Sequence, residues 1–483
     1  MAISAPDKSG VVLPTQSTLA RLLDSAERLE LQPYEDRTST LPLIADMPTP
    51  GRITKETLEP KLGIVRWTLS NGITVLLKPT DFKNDEILLS GFSPGGTSVV
   101  PDADFINAAM ATSVATEGGV GNHSQIELQK LLAGRAISAY PYIGELYEGV
   151  GGNASPQDVE VMFQLLHLYL TKPRFDSIAF VSMRTRSKTS VRNRSARPES
   201  AFSDTLAGIL SGYHPRRRPF TEDTFDRIDP LRSMSIYRDR FADASDFTFV
   251  IVGSFQPDSM RPFVERYIAS LPSKGRREKW RDIGIKPLRG VIEREIGRGT
   301  EPKARVQVVY SGEMKWNRQS RNALYATAGI LEIMLREALR EEKGGTYGVG
   351  VNAIPVEHPR GWYSMLVSFG CAPERVVELV AEAFAQIDTL KTRGPTAVDL
   401  AKVRESARRE NEVSMRDNRF WLNQIQFHVM HDESLDGIVT GSNEFEKVTA
   451  EQIRDAARKY LDGKNRVKVV LVPESTPDAT GGN

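Results

Sequence analysis

Apolar residues recur along the body of this chain in two rhythms. Residues 64–69, 74–78 and 85–92 read as strands, and Ser70, Asn71 and Gly72 supply the turn between the first two. Residues 293–296 and 305–310 repeat the strand pattern further on. Between such runs the spacing changes to three and four, the mark of amphipathic helices. Residues 18–31 form one such helix, with Leu19, Leu22, Leu23, Ala26 and Leu29 on one face. A proline-rich extended stretch follows over 41–60. Residues 1–60 therefore read as a linker with too little core to fold alone.

The pattern also repeats on a long scale. Ile228, Asp229, Pro230 and Leu231 open a helix that leads through Phe241 into the apolar run 247–252. Val448, Thr449, Ala450 and Glu451 do the same before Leu461 and the run 467–472. Asp229 and Thr449 each stand where an N-cap is needed. Pro156 to Val159 and Pro373 to Val376 form a second pair, each opening a long helix. Both pairings share a step of about 220 residues, as an internal duplication requires. The expected fold class is α+β: two homologous domains, each an antiparallel-rich sheet covered by helices. The first repeat is placed at 61–280 and the second at 281–483, with the boundary in the polar stretch 273–285.

Composition narrows the function classes. The chain has 483 residues, is 40% hydrophobic and 26% charged, and carries a net charge of +1. Such a balance gives no support to a nucleic-acid role or a charged membrane surface. The basic stretches at 184–194 and 216–218 read as solvated faces. One cysteine, Cys371, precludes an internal disulfide or a cysteine metal cluster. No apolar run reaches the roughly 18 residues that a membrane span needs. The native compartment is not legible; a periplasmic setting is open if the chain belongs to a longer exported one.

One segment carries candidate chemistry. Residues 331–350 read as an amphipathic helix that runs into Arg340, stops at Gly344 and Gly345, and restarts as a strand at Tyr347. Leu331, Met334, Leu335, Ala338 and Leu339 form its buried stripe, which leaves Arg340 at the edge. A guanidinium and a phenol at one corner could donate several hydrogen bonds to a carbonyl or oxyanion. The glycines precede a strand instead of opening a helix, so a phosphate loop is disfavoured.

These features resemble the pitrilysin family of zinc metallopeptidases. The similarity rests on Leu69-Ser-Asn-Gly-Ile-Thr-Val-Leu76, the duplicated α+β pattern, the helix opening at Pro373, and the seven-residue spacing of Arg340 and Tyr347. In that family four such domains form a closed chamber. The first binds zinc through His-x-x-Glu-His and a distant Glu, and the last domains contribute an Arg and a Tyr. The resemblance thus implies catalytic roles for Arg340 and Tyr347.

The metal motif is absent. Matched to the family, its two His positions become Thr112 and Thr116 and its Glu becomes Ala115. None of the six histidines forms the required pair, and 177–198 lacks any acidic residue. No metal is expected in this chain. The pair His428 and His431, with Asp432 and Glu433 nearby, reads as a polar helix end, and His167 as a core histidine.

The resemblance then implies a non-zinc half of a zinc metalloendopeptidase. It would close over peptide and supply Arg and Tyr donors to the scissile carbonyl, with zinc in a partner half or subunit of the same family. Alone it would be inactive. The residues 2–8 and 12–15 look like the end of a first half running into a linker, which suggests a fragment or one of two subunits. A non-catalytic structural or peptide-binding subunit is the alternative.

Overall fold

In the computed structural model, which describes residues 13–29, 42–287 and 289–474, two sheets carry the same strand order. The first is built from β1 (Ile53–Glu59), β2 (Ile64–Leu69), β3 (Thr74–Pro79), β4 (Ile87–Pro94), β5 (Ile137–Ile143), β6 (Tyr147–Ala154) and β7 (Thr248–Gly253). The second is built from β8 (Val291–Gly297), β9 (Ala304–Glu313), β10 (Val349–Val356), β11 (Trp362–Cys371) and β12 (Arg466–Val472). The orders are β1-β2-β3-β7-β4-β6-β5 and β10-β11-β9-β12-β8. Read from β3 and from β8, the five-strand arrangement is identical. In each sheet one neighbouring pair is parallel, β3 with β7 and β8 with β12, and the rest are antiparallel. The duplication legible in the sequence is therefore a duplication of topology, and the fold is α+β.

Local chemistry explains the shared elements. Gly72, with a φ of +90°, makes the turn from β2 to β3 that a side chain would resist. Asn71 fixes that turn by donating to the carbonyls of Ile268 at 2.9 Å and Leu271 at 3.2 Å. The helix Pro230–Arg240 is capped by Asp229, which accepts from Leu231 N and Arg232 N. Its counterpart Ala450–Tyr460 has Thr449 in a capping box with Gln452. The helices Val159–Thr171 and Val376–Arg393 begin at the residues the sequence pairing matched. The extended stretch before residue 60 contributes β1, which pairs antiparallel with β2 at the sheet edge.

Each sheet buries both faces, one of them against a helix from the other repeat. The helix Asn418–Met430 lays Trp421, Leu422 and Ile425 on Ile64, Leu76, Leu88 and Val250 of the first sheet. The helix Pro198–Leu210 lays Phe202, Leu206 and Ile209 on Val309, Val467 and Val469 of the second. A fully buried side chain of this kind contributes about 1.5–3 kcal/mol, so the exchange ties the two sheets together.

The chain between the sheets is held by bonds from its backbone to side-chain oxygens. Arg276 N donates to Asp243 at 2.8 Å, Glu278 N to Asp246 at 3.1 Å, and Arg281 N to the Ser98 hydroxyl at 3.0 Å. Burial alone would raise the Asp243 carboxyl. Hydrogen bonds from the Ser245 hydroxyl and N–H and from the N–H groups of Arg276 and Lys274 outweigh it and hold the group well below its ordinary value. Its stabilisation is present above the ordinary carboxyl range and is lost as pH falls through the folded-state value. Asp243→Asn should cost about 1.5–3 kcal/mol near neutrality, the worth of hydrogen bonds to a charged group, and should flatten the acid limb of stability against pH. Urea midpoints from pH 7 downward check this; an unchanged acid slope would contradict it.

The described residues 13–29 belong to a unit separate from the rest of the chain. Within it the helix runs Gln16–Glu27, with the Thr15 hydroxyl accepting from Thr18 N at 3.2 Å. The sequence places it at 18–31. Residues 30 and 31, like the stub 2–8, lie outside the described residues.

Candidate functional site

The corner at 335–349 differs from a plain helix stop. The helix Arg318–Leu335 widens into a π-turn over Arg336–Glu342 before it ends. Such widened turns often mark functional positions. Leu331, Leu335, Ala338 and Leu339 are buried, while Arg340 faces solvent. Gly344 takes a φ of +56°, and Gly345 N donates to the Leu339 carbonyl at 2.9 Å. A Cβ at Gly345 would stand 2.6 Å from a Leu379 methyl, so a larger residue there would have to displace that buried side chain.

The strand does not restart at Tyr347 as the sequence reading expects; β10 begins at Val349. The reason is Thr346, which is buried and whose hydroxyl donates to Gly348 O at 3.0 Å and accepts from Gly348 N at 3.2 Å. These bonds take the backbone out of the ladder and hold it as a tight loop. The Tyr347 side chain is 100% exposed. Among the described residues neither its phenol nor the Arg340 guanidinium has a side-chain hydrogen bond or ion pair. The loop is thus fixed by neighbours while its donors remain unspent. Beside it lies a groove of about 720 Å³ lined by Lys303, Arg305, Gly348, Gly350 and Ser368 among others.

Thr112, Ala115 and Thr116 lie on the helix Phe105–Gly118. A cavity of about 640 Å³ opens beside Thr116, bordered by the helix Ser177–Ser195 through Ser182 and Arg186. These residues do not fit zinc. Ala115 is buried and has no donor atom. The Thr116 hydroxyl donates into its own helix, to Thr112 O at 2.9 Å and Ser113 O at 3.2 Å. Glu117 is held by Arg186 at 2.6 Å. Asp176 accepts from Ile178 N and Ala179 N and from Arg174. A zinc site needs convergent His or carboxylate donors. Here a guanidinium occupies the cleft and the carboxylates are spent.

The other candidates resolve simply. Cys371 is buried at the end of β11, and burial pushes its thiol up, so it is a poor nucleophile. His167 meets the Tyr267 carbonyl at 2.9 Å. His428 is buried, whereas His431 is turned away toward Glu357. The basic stretch 184–194 is an ion-pair ladder, with Lys188 on Asp226, Arg192 on Glu222 and Arg194 on Asp204.

Residues 234–407 match the family model described as the Peptidase M16 inactive domain. The chain is a homologue of the M16, or pitrilysin-type, zinc proteases. The chain is 25% identical to the "Zinc protease PQQL-like" of Arabidopsis thaliana over 439 residues, which cover 87% of this chain and 43% of that protein. The crystal structure of the periplasmic protease PqqL from Escherichia coli superposes with a TM-score of 0.77 at 20% identity, over 95% of this chain and 51% of that one. The first half of the same protease superposes with a TM-score of 0.71 at 12% identity, over 86% of this chain and 93% of that half. The chain thus spans about half the length of the Arabidopsis protein and of the full PqqL structure. It has the architecture of one M16 half, and its matched domain is of the inactive kind. Among the described residues no helix is long and apolar enough to cross a membrane.

Proposed function

We propose that this chain is the non-zinc half of an M16 zinc metalloendopeptidase. It works with a zinc-binding half of the same family, within one longer chain or as a separate subunit, and the two close over a peptide. Tyr347 donates its phenolic O–H, and Arg340 its guanidinium N–H groups, to the scissile carbonyl or its flanking backbone. Donors of this kind help most when aimed at the charge that develops on the carbonyl oxygen. The metal chemistry belongs to the partner.

The observation that carries this reading is the state of the corner. A loop held by Thr346 and packed through Gly345 on Leu379 presents an entirely exposed tyrosine seven residues after an exposed arginine. An exposed, unpaired aromatic on a fixed loop gains nothing for the fold. The cleft around Thr116 supports the assignment of the metal to a different half.

The isolated chain is expected to leave a quenched peptide library uncut, with or without added zinc, and to restore turnover when its zinc-binding half is supplied. Chelator-sensitive cleavage by the purified chain alone would overturn the proposal. No restoration by the zinc half would favour a structural or peptide-binding subunit instead.

A further inference from the structure

A second cluster of chemistry-bearing side chains lies away from both sites. Glu357 and His358 stand in the turn between β10 and β11, and His431 ends the helix Asn418–Met430. Their ligand atoms, a carboxylate oxygen and two imidazole nitrogens, all lie within 4.8 Å of one another. His431 Nδ1 meets the Glu357 carboxylate directly, and His358 Nε2 lies 3.5 Å from the same oxygen.

The rings are held in place. The His431 ring stacks on Trp316 at 4.7 Å and on His358 at 5.3 Å, with interplanar angles of 26° and 15°. Trp280, in the chain between the sheets, packs on His358 at 4.9 Å. Neighbouring carboxylates are claimed by cations: Glu433 by Arg321 at 2.6 Å and Asp282 by Arg360. Among the described residues Glu357 has no lysine or arginine ion-pair partner; two imidazoles contact it, and the neutral Tyr147 phenol lies near. An anion so placed has room for a cation that its surroundings do not supply.

We infer that Glu357, His358 and His431 form a binding site for a late first-row divalent cation, of which zinc fits best. Two imidazoles and one carboxylate are a zinc donor set, whereas magnesium and calcium favour oxygen ligands. On binding, the direct Glu357–His431 contact opens to admit the cation, and the carboxylate and imidazoles close on it at metal–ligand bonds of about 2.0–2.2 Å. The three side chains are 17–25% exposed, which leaves a path for entry and a position for water. The site also has a mechanical role. It clips the β10–β11 turn of the second sheet to the helix that covers the back of the first, and so reinforces the exchange that joins the sheets. The position is separate from Thr112 and Thr116 and needs no partner half.

The test uses the tag-free 483-residue chain, stripped with chelator and titrated with zinc by calorimetry, and with cobalt by visible absorption. One equivalent of zinc is expected to bind, with a cobalt d–d band of a four- or five-coordinate ion. Glu357→Gln and His431→Asn should each weaken binding by at least about 10–100-fold, the range that outer-shell losses alone commonly reach, and should abolish the band. His214→Asn should leave both unchanged. Circular dichroism of the metal-free variants confirms folding, and Glu357→Gln, in a surface turn, decides if His431→Asn is unfolded. No binding by the native chain, or binding unchanged in Glu357→Gln, would overturn the site.

Discussion

Tyr347→Phe, in the complete assembly with the zinc-binding half, is expected to lower kcat on the order of 10²–10³, the cost of removing one oxyanion donor. KM should change little, and the zinc content of the partner should not change. The substitution removes one hydroxyl from a ring that is 100% exposed. Surface changes of this kind stay within about ±0.5 kcal/mol of stability, so the unfolding midpoint of the chain should stay the same. That contrast between turnover and stability makes the measurement decisive. A raised KM with unchanged kcat would mean that Tyr347 only holds peptide, and unchanged kcat/KM would remove it from the site. Arg340→Lys offers a second view, because it keeps the charge and loses the planar fork. A larger loss for Arg340→Ala than for Arg340→Lys points to charge, and equal losses point to the fork.

The sequence disclosed elements and their repetition because both are local. Runs such as 64–69 and 247–252 show their strands in period and composition, and Asp229 and Thr449 show their helix starts through cap chemistry. Two repeats of one topology then appear as a constant step. The lack of a His-x-x-Glu-His motif on the helix that carries Thr112, Ala115 and Thr116 was equally plain, since such a motif is confined to one helix. What the sequence did not show is non-local. The exchange of Pro198–Leu210 and Asn418–Met430 between sheets leaves no periodic trace, because each helix is amphipathic whichever sheet it covers. The pair His428 and His431 was visible as a spacing, but His431 finds Glu357 across 74 residues and His428 does not join it. The loop at Tyr347 reads as strand because nothing in its composition announces that Thr346 bonds both sides of Gly348.

Arg240→Met is expected to destabilise the chain by about 3–5 kcal/mol, the cost of leaving a buried charge without its partner. Arg240 is 2% exposed and Glu148 is 1% exposed. Their atoms meet at 2.6 Å, and the same guanidinium donates to Glu278 at 3.1 Å through Nη1. Gly96 N also donates to Glu148, and a Cβ at Gly95 would stand 2.6 Å from the guanidinium, so the pocket is closed around the pair. Burial pushes the Glu148 carboxyl up to about 7 against the pull of Arg240 and Gly96 N–H. Without Arg240 the larger opposing pull is gone, only the Gly96 N–H remains, and the carboxyl rises further. The penalty should therefore be small below about pH 4.5, where Glu148 is protonated folded or unfolded, and should grow as pH rises through the folded-state value. Adding Glu148→Gln to Arg240→Met removes the orphaned charge and should recover most of the loss at neutral pH. Glu278 lies in the chain between the sheets, so the single variant should also open residues 273–287 to limited proteolysis. Urea unfolding at pH 4 and pH 8 separates these effects. A loss under about 1 kcal/mol at pH 8, far below the buried-pair range, would show that the triad does not hold this junction, whereas the full loss would make Arg240 the polar counterpart of the helix exchange that fixes one sheet against the other.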